Sequence, residues 1–492
     1  MFGVAICGAI STRVLLLGER SITFDEGYSY ALAERDLPGM FRLFQVEANG
    51  LFYPLLLWPT TRLSDSVEAL RSPALVAGIA SIPILYIVGR QYVGANASAI
   101  GTVVFSLSSA AIAFSQEARA YSFAILFTIS SYGFLSRATK SPRQWRWWLL
   151  YSVAMTAIAY SSSIIFLTSV VAHAIVILQR GREVAARWVV AGAVITVAVF
   201  PLLLLLTAEA GVRDALYYLD EPGFRDVVSA FAFIAAGPES ATDRGLLLAF
   251  AISAVVCLTF GAALRKTRYR ALYAEGVNPG SLATLIGWAL IPPAMVFLIS
   301  QLHPVFNAKY FIGSLPALCL LIGTALSVAP RRAALILGAM LFVLLSATIV
   351  LTNPHTTDYR TVSAWLKRER DLSRDNVLLI PLEQLPALAY YLEEFRSRGL
   401  TPVEEWGDTP LPPRIHGYRL PGGYGQAPEA PPKVSEIASL ATEGGRGLVI
   451  VSYPGWIGNE VDRWRLAHCR TSMRVLGRLA LVELDDCSDT GS

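Results

Sequence analysis

Two adjacent acids, Asp25 and Glu26, follow directly after the first apolar stretch of the chain, residues 2–18. Neither membrane insertion nor core packing requires carboxylates at such a position. Carboxylates that lie at a membrane–water boundary beside other polar groups are candidates for proton transfer or metal binding. The alternative is that the pair marks the end of the first helix and caps the next, a short helical pattern over Tyr28 to Arg35.

Two later connections between apolar stretches carry further polar clusters. Gln116-Glu117-Ala118-Arg119-Ala120-Tyr121 forms a tight turn with opposite charges two residues apart. Such charges either snorkel to water as topological residues or line a functional cavity. Gln301 to Tyr310 contains His303 and Lys309, which are either solvated or suited to be a metal ligand and a phosphate-binding cation.

The composition is that of a membrane protein. The chain has 492 residues, of which 54% are hydrophobic and 16% charged, and its mean hydropathy is +0.49. Soluble domains are about one quarter charged. The net charge of +4 is small, and the basic residues lie between apolar blocks, which argues against nucleic-acid binding. The first apolar segment lacks a basic flank and an A-x-A-like cleavage site, so we expect a retained helix.

Apolar blocks of the length that a membrane helix needs recur along the first 351 residues. They predict about eleven transmembrane helices near residues 2–18, 68–89, 97–114, 121–136, 147–160, 163–179, 188–206, 245–264, 282–300, 310–328 and 333–351. An odd number of spans places the two termini on opposite sides of the membrane.

The connections between these blocks indicate the orientation. One alternate set contains Arg90, Arg137, Lys140, Arg143, Arg146, Arg180, Arg182, Arg187, Arg265, Lys266, Arg268, Arg270, Arg331 and Arg332. The other set is poor in Lys and Arg for its length, and it holds the Asp25–Glu26 pair, Glu117 and His303. Because basic loops stay in the cytoplasm, the pattern predicts a cytoplasmic N-terminus and an extracytoplasmic C-terminal tail.

The first outer loop, residues 19–67, is too long for a simple turn. It carries Glu47 and Asn49, followed by the apolar stretch 51–63, which contains two prolines. About 13 apolar residues are too few to span a bilayer. The stretch is therefore predicted to be an interfacial or re-entrant helix.

The composition becomes polar after residue 351, so we expect two domains, 1–351 and 352–492. In the second, a helix is predicted over 358–370 and 385–394, and strands over 376–381, 447–453 and 478–485. This pattern indicates a small extracytoplasmic α/β domain. It shows no Walker motif or G-x-G-x-x-G run, so no nucleotide cofactor is expected. Cys469 and Cys487 lie in this tail, where an oxidising compartment would allow them to pair.

Four motifs in order give the chain a resemblance to a known family. They are the acidic pair after the first span, the Pro-containing element that ends the first outer loop, the Q-E-A-R-x-Y turn, and the H-P-x-F-x-x-K-Y turn before a later span. This order resembles the GT-C fold glycosyltransferases, in particular the protein O-mannosyltransferase, aminoarabinose-transferase and arabinofuranosyltransferase group. The resemblance covers most of residues 15–330. It implies transfer of a sugar from a polyprenyl-phosphate donor on the outer face of the cell membrane.

The resemblance also implies roles for individual residues. Asp25 would be the catalytic base or a metal ligand, and Glu26 would support it or bind the acceptor. Further residues would bind the donor phosphate (Arg119, Tyr121, Lys309, Tyr310), line the cavity (Glu47, Asn49, Glu117) or ligate a divalent cation such as Mg²⁺, Mn²⁺ or Ca²⁺ (His303 with Asp25). Where many relatives have Arg, this chain has Lys309, which keeps a point charge but not a bidentate fork.

The expected partners are the polyprenyl-phosphate sugar, membrane lipids, and an acceptor that is a glycan, a lipid or a protein. A transporter or lipid-linked-sugar flippase is the alternative from a different class. Carriers have ionisable residues in mid-span and broken helices in matching halves. Here the ionisable residues lie mainly at span ends on one face, which favours the enzyme.

Overall fold

The computed structural model describes most of the chain. Residues outside the description are 1, 16, 45–51, 208–221, 238–242, 264–278, 352–357, 372–374, 381–383, 393–414, 418–434, 436–447, 453–458, 477–478 and 488–492. Glu47 and Asn49 are among them.

Most of the described residues among the first 351 lie in helices. The α-helices are α1 (Phe2–Leu15), α2 (Phe24–Ala33), α3 (Leu37–Phe44), α4 (Phe52–Thr61), α5 (Val67–Leu107), α6 (Ser109–Ser115), α7 (Tyr121–Lys140), α8 (Trp145–Ser161), α9 (Ser163–Leu178), α10 (Arg182–Thr207), α11 (Phe224–Ala236), α12 (Asp243–Ala263), α13 (Pro279–Ser300), α14 (Leu315–Val328) and α15 (Arg331–Leu351). A 3₁₀ helix, Ala308–Ser314, precedes α14.

The longest helix, α5, is a hairpin of two helices. Gly94 has φ +76° and ψ 178°, which interrupts the helix. The Ser98 hydroxyl donates a 2.8 Å hydrogen bond to the Tyr86 carbonyl. Twelve residues of straight helix would separate these positions by about 18 Å, so the chain reverses at Gly94. The two halves correspond to two predicted spans, 68–89 and 97–114.

Within the described residues, six helices are long and apolar enough to cross a membrane, counting α5 once and the 3₁₀ helix together with α14. Helices also occupy the other predicted blocks, but they are shorter or less apolar than a full span requires. The number of eleven spans therefore stays a prediction.

A buried arginine joins α1 to the helices that lead to the Gln116–Tyr121 turn. Arg13 is fully buried. Its guanidinium donates to the Ser106 carbonyl at 2.7 Å and to the Ser115 hydroxyl at 3.2 Å. Gln116 returns a hydrogen bond to the Arg13 carbonyl at 2.9 Å. These contacts fix the end of α6, and with it the start of the turn, against α1.

The chain after residue 358 forms helices and a five-stranded sheet. Its elements are α16 (Tyr359–Glu369), β1 (Asn376–Ile380), α17 (Leu385–Tyr391), β2 (Ile415–Gly417), β3 (Leu448–Ser452), α18 (Asn459–His468), β4 (Arg470–Leu476) and β5 (Leu479–Asp485). The strand order is β2-β1-β3-β5-β4. β1 pairs with β2 and β3 in parallel, whereas β5 runs antiparallel to β3 and β4. The domain boundary near residue 351 stays a prediction.

The C-terminal layer packs directly on α2. A Cβ atom at Gly27 would lie 2.7 Å from the Ala387 backbone nitrogen, so α2 and α17 approach each other backbone to backbone. The backbone N–H of Ile22 donates to the Tyr391 hydroxyl at 2.9 Å, and Tyr390 donates to the Asp65 carbonyl. The helix that carries Asp25 therefore lies between the helical bundle and the sheet layer.

Candidate functional site

The helix that carries the acidic pair begins earlier than the sequence pattern predicted. Thr23 is its N-cap: its hydroxyl accepts from the Glu26 N–H at 3.3 Å, and the Glu26 carboxylate accepts from the Thr23 N–H at 2.8 Å. This reciprocal capping box starts α2 at Phe24 rather than at Tyr28. Asp25 consequently lies in the first helical turn, where the helix dipole stabilises a negative charge.

Glu26 is a buried structural acid. Its side chain is 1% exposed, and each carboxylate oxygen accepts two hydrogen bonds. Oε1 accepts from Arg71 Nε and from the Ala118 N–H, both at 2.7 Å. Oε2 accepts from Arg71 Nη2 and from the Thr23 N–H, both at 2.8 Å. The carboxylate thereby joins α2, α5 and the Gln116–Tyr121 turn.

Arg71 completes this buried network. Its Nη1 donates to the Leu17 carbonyl at 2.7 Å and its Nη2 to the Ser21 carbonyl at 3.0 Å. The residue is 1% exposed, so its charge is balanced by Glu26 and by backbone carbonyls rather than by water. Arg71 was not among the site residues predicted from the sequence. An Arg inside the first turn of an apolar block is the signal that would have found it.

Asp25 lies between two cations. Its Oδ1 is 3.9 Å from Arg119 Nη1 and its Oδ2 is 3.6 Å from Lys309 Nζ. Both distances exceed a hydrogen bond, so these contacts are ion pairs. Arg119 Nη1 also donates to the Asp25 backbone carbonyl at 3.4 Å. The side chains are 30%, 9% and 21% exposed for Asp25, Arg119 and Lys309. Residues as far as 284 positions apart in sequence (Asp25 and Lys309) thus form one partly open charged site.

Aromatic rings border the two cations. The Tyr121 ring centroid lies 5.9 Å from the Arg119 guanidinium carbon and 5.9 Å from Lys309 Nζ. The Tyr310 ring lies 5.9 Å from Lys309 Nζ. Phe114 packs against Tyr121 with ring centroids 4.9 Å apart. The four residues that the sequence predicted for donor-phosphate binding are therefore neighbours in the structure.

The three carboxyl groups of the site, Asp25, Glu26 and Glu117, differ in the direction in which their pKa is shifted. Burial alone would raise the pKa of Asp25, but Arg119 and Lys309 outweigh it and the pKa lies below its usual range. Burial would likewise raise the pKa of Glu26, and Arg71 with the Ala118 and Thr23 N–H groups lowers it. Burial and the nearby Asp25 and Glu26 charges instead raise the pKa of Glu117 to about 7. Groups whose pKa values are pushed apart in this way are candidates for different roles.

The predicted metal ligand His303 is exposed, and no hydrogen bond or ion pair between His303 and Asp25 occurs in the described part of the chain. The described residues also contain no group of three His, Cys, Asp or Glu side chains that could hold a metal ion. The two cations beside Asp25 would repel a divalent ion there. The predicted metal site at Asp25 and His303 therefore stays a prediction. Glu47 and Asn49 lie outside the described residues.

Comparisons with known proteins agree with the fold. A family model described as dolichyl-phosphate-mannose-protein mannosyltransferase matches residues 49–204. ArnT from Cupriavidus metallidurans, in its crystal structure bound to undecaprenyl phosphate, is similar with a TM-score of 0.58 at 12% identity, covering 98% of this chain and 97% of ArnT. The oligosaccharyltransferase AglB from Archaeoglobus fulgidus, in complex with an inhibitory peptide and a dolichol-phosphate, has a TM-score of 0.55 at 11% identity, covering 98% of this chain and 73% of AglB. No curated protein sequence matches the chain.

At these identities the structural likeness establishes the fold. The chain has the GT-C fold, and the resemblance to glycosyltransferases of this fold that the sequence motifs indicated is confirmed. With its long apolar helices, it is a multi-pass membrane protein.

Proposed function

We propose that the protein transfers a sugar from a polyprenyl-phosphate donor to an acceptor hydroxyl on the outer face of the membrane. The observation that carries the proposal is the Asp25 carboxylate held between Arg119 and Lys309 at the mouth of the helical bundle. A base beside two cations is what sugar transfer from a phosphate requires. ArnT and AglB, which share the fold, have structures with undecaprenyl phosphate and with a dolichol-phosphate, respectively.

Asp25 acts as the base in this proposal. It accepts the proton of the acceptor hydroxyl while the acceptor oxygen attacks the anomeric carbon of the sugar. The bond between that carbon and the phosphate oxygen breaks, and the electron pair leaves with the phosphate. Because its pKa is lowered, Asp25 is ionised at neutral pH and ready to accept the proton.

Arg119 and Lys309 bind the donor phosphate and stabilise the negative charge of the departing lipid phosphate. Both cations lie within 4 Å of Asp25, and Arg and Lys are the side chains that pair with phosphate oxygens. The Tyr121 ring lies beside both cations, and the Tyr310 ring lies beside Lys309.

Glu26 has a positioning role in this proposal. All four of its hydrogen bonds are made to protein groups, so it holds Asp25 and the Gln116–Tyr121 turn in register. Glu117 lines the cavity and tunes its charge. The requirement for a divalent cation stays a prediction, which a chelator tests.

The first experiment measures release of lipid phosphate by purified protein from a panel of polyprenyl-phosphate sugars, with and without EDTA. Asp25→Asn should reduce turnover about a hundredfold or more, which is the size of a general-base contribution. Asp36→Asn is the matched control, since Asp36 lies in the same loop, is exposed, and caps α3 through a bond that Asn can also make.

Equal turnover by wild type and Asp25→Asn would show that Asp25 is only part of a helix N-terminus. If the wild type binds donor lipid but releases no phosphate from any donor, the carrier alternative is favoured. Loss of turnover in EDTA would establish the metal requirement. The sugar that is released identifies the donor, and the acceptor is then sought among glycans, lipids and proteins.

A further inference from the structure

A polar cavity opens at the end of the helical bundle opposite to Asp25. Its volume is about 250 Å³. It lies where the α5 hairpin bends, α7 and α9 end, and α13 begins. Since Tyr121 begins α7 and Lys140 ends it, the rise of 1.5 Å per residue places the cavity about 28 Å from the Asp25 site. The loop-charge pattern assigns this end to the cytoplasm.

The walls of the cavity are polar and basic. Lys140 and Arg180 line it together with Gln91, Ser136, Thr139 and Thr284, and no lining residue is acidic. Ser136 and Thr284 are 8% and 6% exposed, so the polar surface continues below the rim. The buried Gln91 Oε1 accepts no hydrogen bond from the described residues.

Lys140 and Arg180 differ from several other basic residues near this end of the bundle. Arg143 and Arg187 both pair with Glu183, and Arg137 lies over the Trp147 ring. In the described part of the chain, neither Lys140 nor Arg180 forms an ion pair or a ring contact. Topological basic residues need only face water, whereas these two also converge on a cavity.

A helix terminus adds to the positive potential. Helix α13 begins at Pro279, and Gly280 and Ser281 in its first turn line the cavity. The first-turn N–H groups of a helix carry partial positive charge and favour anions. The C-termini of α7 and α9 carry the opposite partial charge, which the basic residues at those ends more than balance.

We infer that this cavity binds a phosphate-bearing anion, either the headgroup of an anionic membrane lipid or free phosphate. Two cations, neutral hydrogen-bonding side chains and a helix N-terminus are the groups that recognise phosphate. The site is separate from the proposed donor site, and its occupancy does not depend on transferase activity.

The test measures binding of short-chain phosphatidylglycerol to the full-length protein in detergent, with phosphatidylcholine as the neutral-headgroup comparison. Lys140→Gln/Arg180→Gln should weaken phosphatidylglycerol binding about thirtyfold, the loss of two basic contacts to an anionic headgroup. Arg331→Gln/Arg332→Gln, which removes the same charge from exposed positions at the start of α15, should leave binding unchanged.

A second variant tests whether binding needs the space of the cavity as well as its two cations. Thr139→Trp fills the cavity from a half-buried position while keeping both cations, and it should also abolish the Lys140- and Arg180-dependent binding. Displacement of the lipid by millimolar inorganic phosphate would identify free phosphate as sufficient, and failure to displace it would identify the lipid headgroup. Binding that survives Lys140→Gln/Arg180→Gln, or that falls equally in Arg331→Gln/Arg332→Gln, would overturn the inference.

Discussion

Asp25 and Glu26 are sequence neighbours with opposite environments. Asp25 is partly exposed and held by two long ion pairs, whereas Glu26 is buried and has four short hydrogen bonds. The direction of each side chain from the first turn of α2 produces this difference. In the proposed function, Asp25 accordingly accepts a proton from the acceptor, and Glu26 keeps the site assembled.

Glu117 should make donor binding depend on pH. Its pKa is raised to about 7 by burial and by the charges of Asp25 and Glu26, so it is mainly neutral at pH 6 and mainly charged at pH 8. The added negative charge opposes an anionic donor, and affinity should fall severalfold between these pH values. Glu117→Gln should bind with nearly constant affinity over the same range.

Binding of a polyprenyl-phosphate sugar without acceptor is the appropriate measurement for Glu117. Its phosphodiester does not titrate near neutral pH, so a change in affinity reports the protein. Free polyprenyl phosphate would confuse the result because the second pKa of a phosphate monoester lies near 6. A pH dependence that persists in Glu117→Gln would assign the titration to another group.

The sequence motifs predicted most residues of the candidate site. They did not predict that Asp25 is partly exposed while Glu26 is buried and paired. Asp25, Arg119 and Lys309 come together as the motif order predicted, because three connections at one end of the bundle meet. The partner of Glu26 was missed, since Arg71 lies 45 residues away in a block interpreted as apolar. Pairing across such a separation depends on packing, which a single sequence does not specify.

At the scale of elements, the Glu26–Arg71 pair joins the chain before α2, α2 itself, α5 and the turn before α7. Arg71→Met should destabilise the protein by about 3–5 kcal/mol, because it leaves a buried carboxylate without its charge partner. The double variant Glu26→Gln/Arg71→Met should recover part of this loss, since it removes both charges. Chemical unfolding in mixed micelles measures both, and equal stability of the single variant and wild type would contradict the network.

The bend of α5 at Gly94 leads to a second prediction, which concerns stability. Gly94 has a backbone conformation that is essentially restricted to glycine, so Gly94→Ala should cost about 1–3 kcal/mol of stability. Gly192→Ala is the control, because Gly192 lies inside α10 with open space at its Cβ position. There, alanine should be neutral or stabilising by up to about 1 kcal/mol. Equal effects of the two changes would argue against the reversal at Gly94.

Hydrophobic length and periodicity predicted where elements occur better than where they begin and end. The amphipathic pattern over 358–370 corresponds to α16, which Asp358 caps through the Thr361 N–H. The start of α2 was placed too late because the capping box of Thr23 was not recognised. Strand β4 and helix α18 were missed, since their polar and charged residues show no clear period. Packing on β5 determines β4.

At the scale of the whole molecule, Cys469 and Cys487 form a disulfide, as an extracytoplasmic tail would allow. Cys469→Ser/Cys487→Ser should lower stability by about 3 kcal/mol, the value expected for a closed loop of this length. The double change Cys7→Ser/Cys257→Ser at two exposed free cysteines should have little effect.

Alkylation of the protein in intact cells, followed by mass measurement, tests the compartment. Cys469 and Cys487 should resist alkylation until a reductant is added. Immediate alkylation of both would place the tail in a reducing compartment and reverse the predicted orientation.

The GT-C fold and the location of the site were therefore predictable from the order of four motifs. The sheet topology and the contact between the tail and α2 were not, because both arise from pairing between segments distant in the chain. Ile22 shows this dependence: it is buried in the same cluster as Tyr359 and Trp365, more than 300 residues away.

The backbone contact between Gly27 and Ala387 limits how the protein can be rearranged by recombination. A side chain at residue 27 has no room, so exchange of the C-terminal region with that of a relative succeeds only if the new region presents an equally close surface to α2. The tail and the first loop are therefore coupled through this contact. A chimaera that transfers residues 19–67 along with the tail carries both sides of this contact, whereas one joined near residue 352 places Gly27 against a new surface.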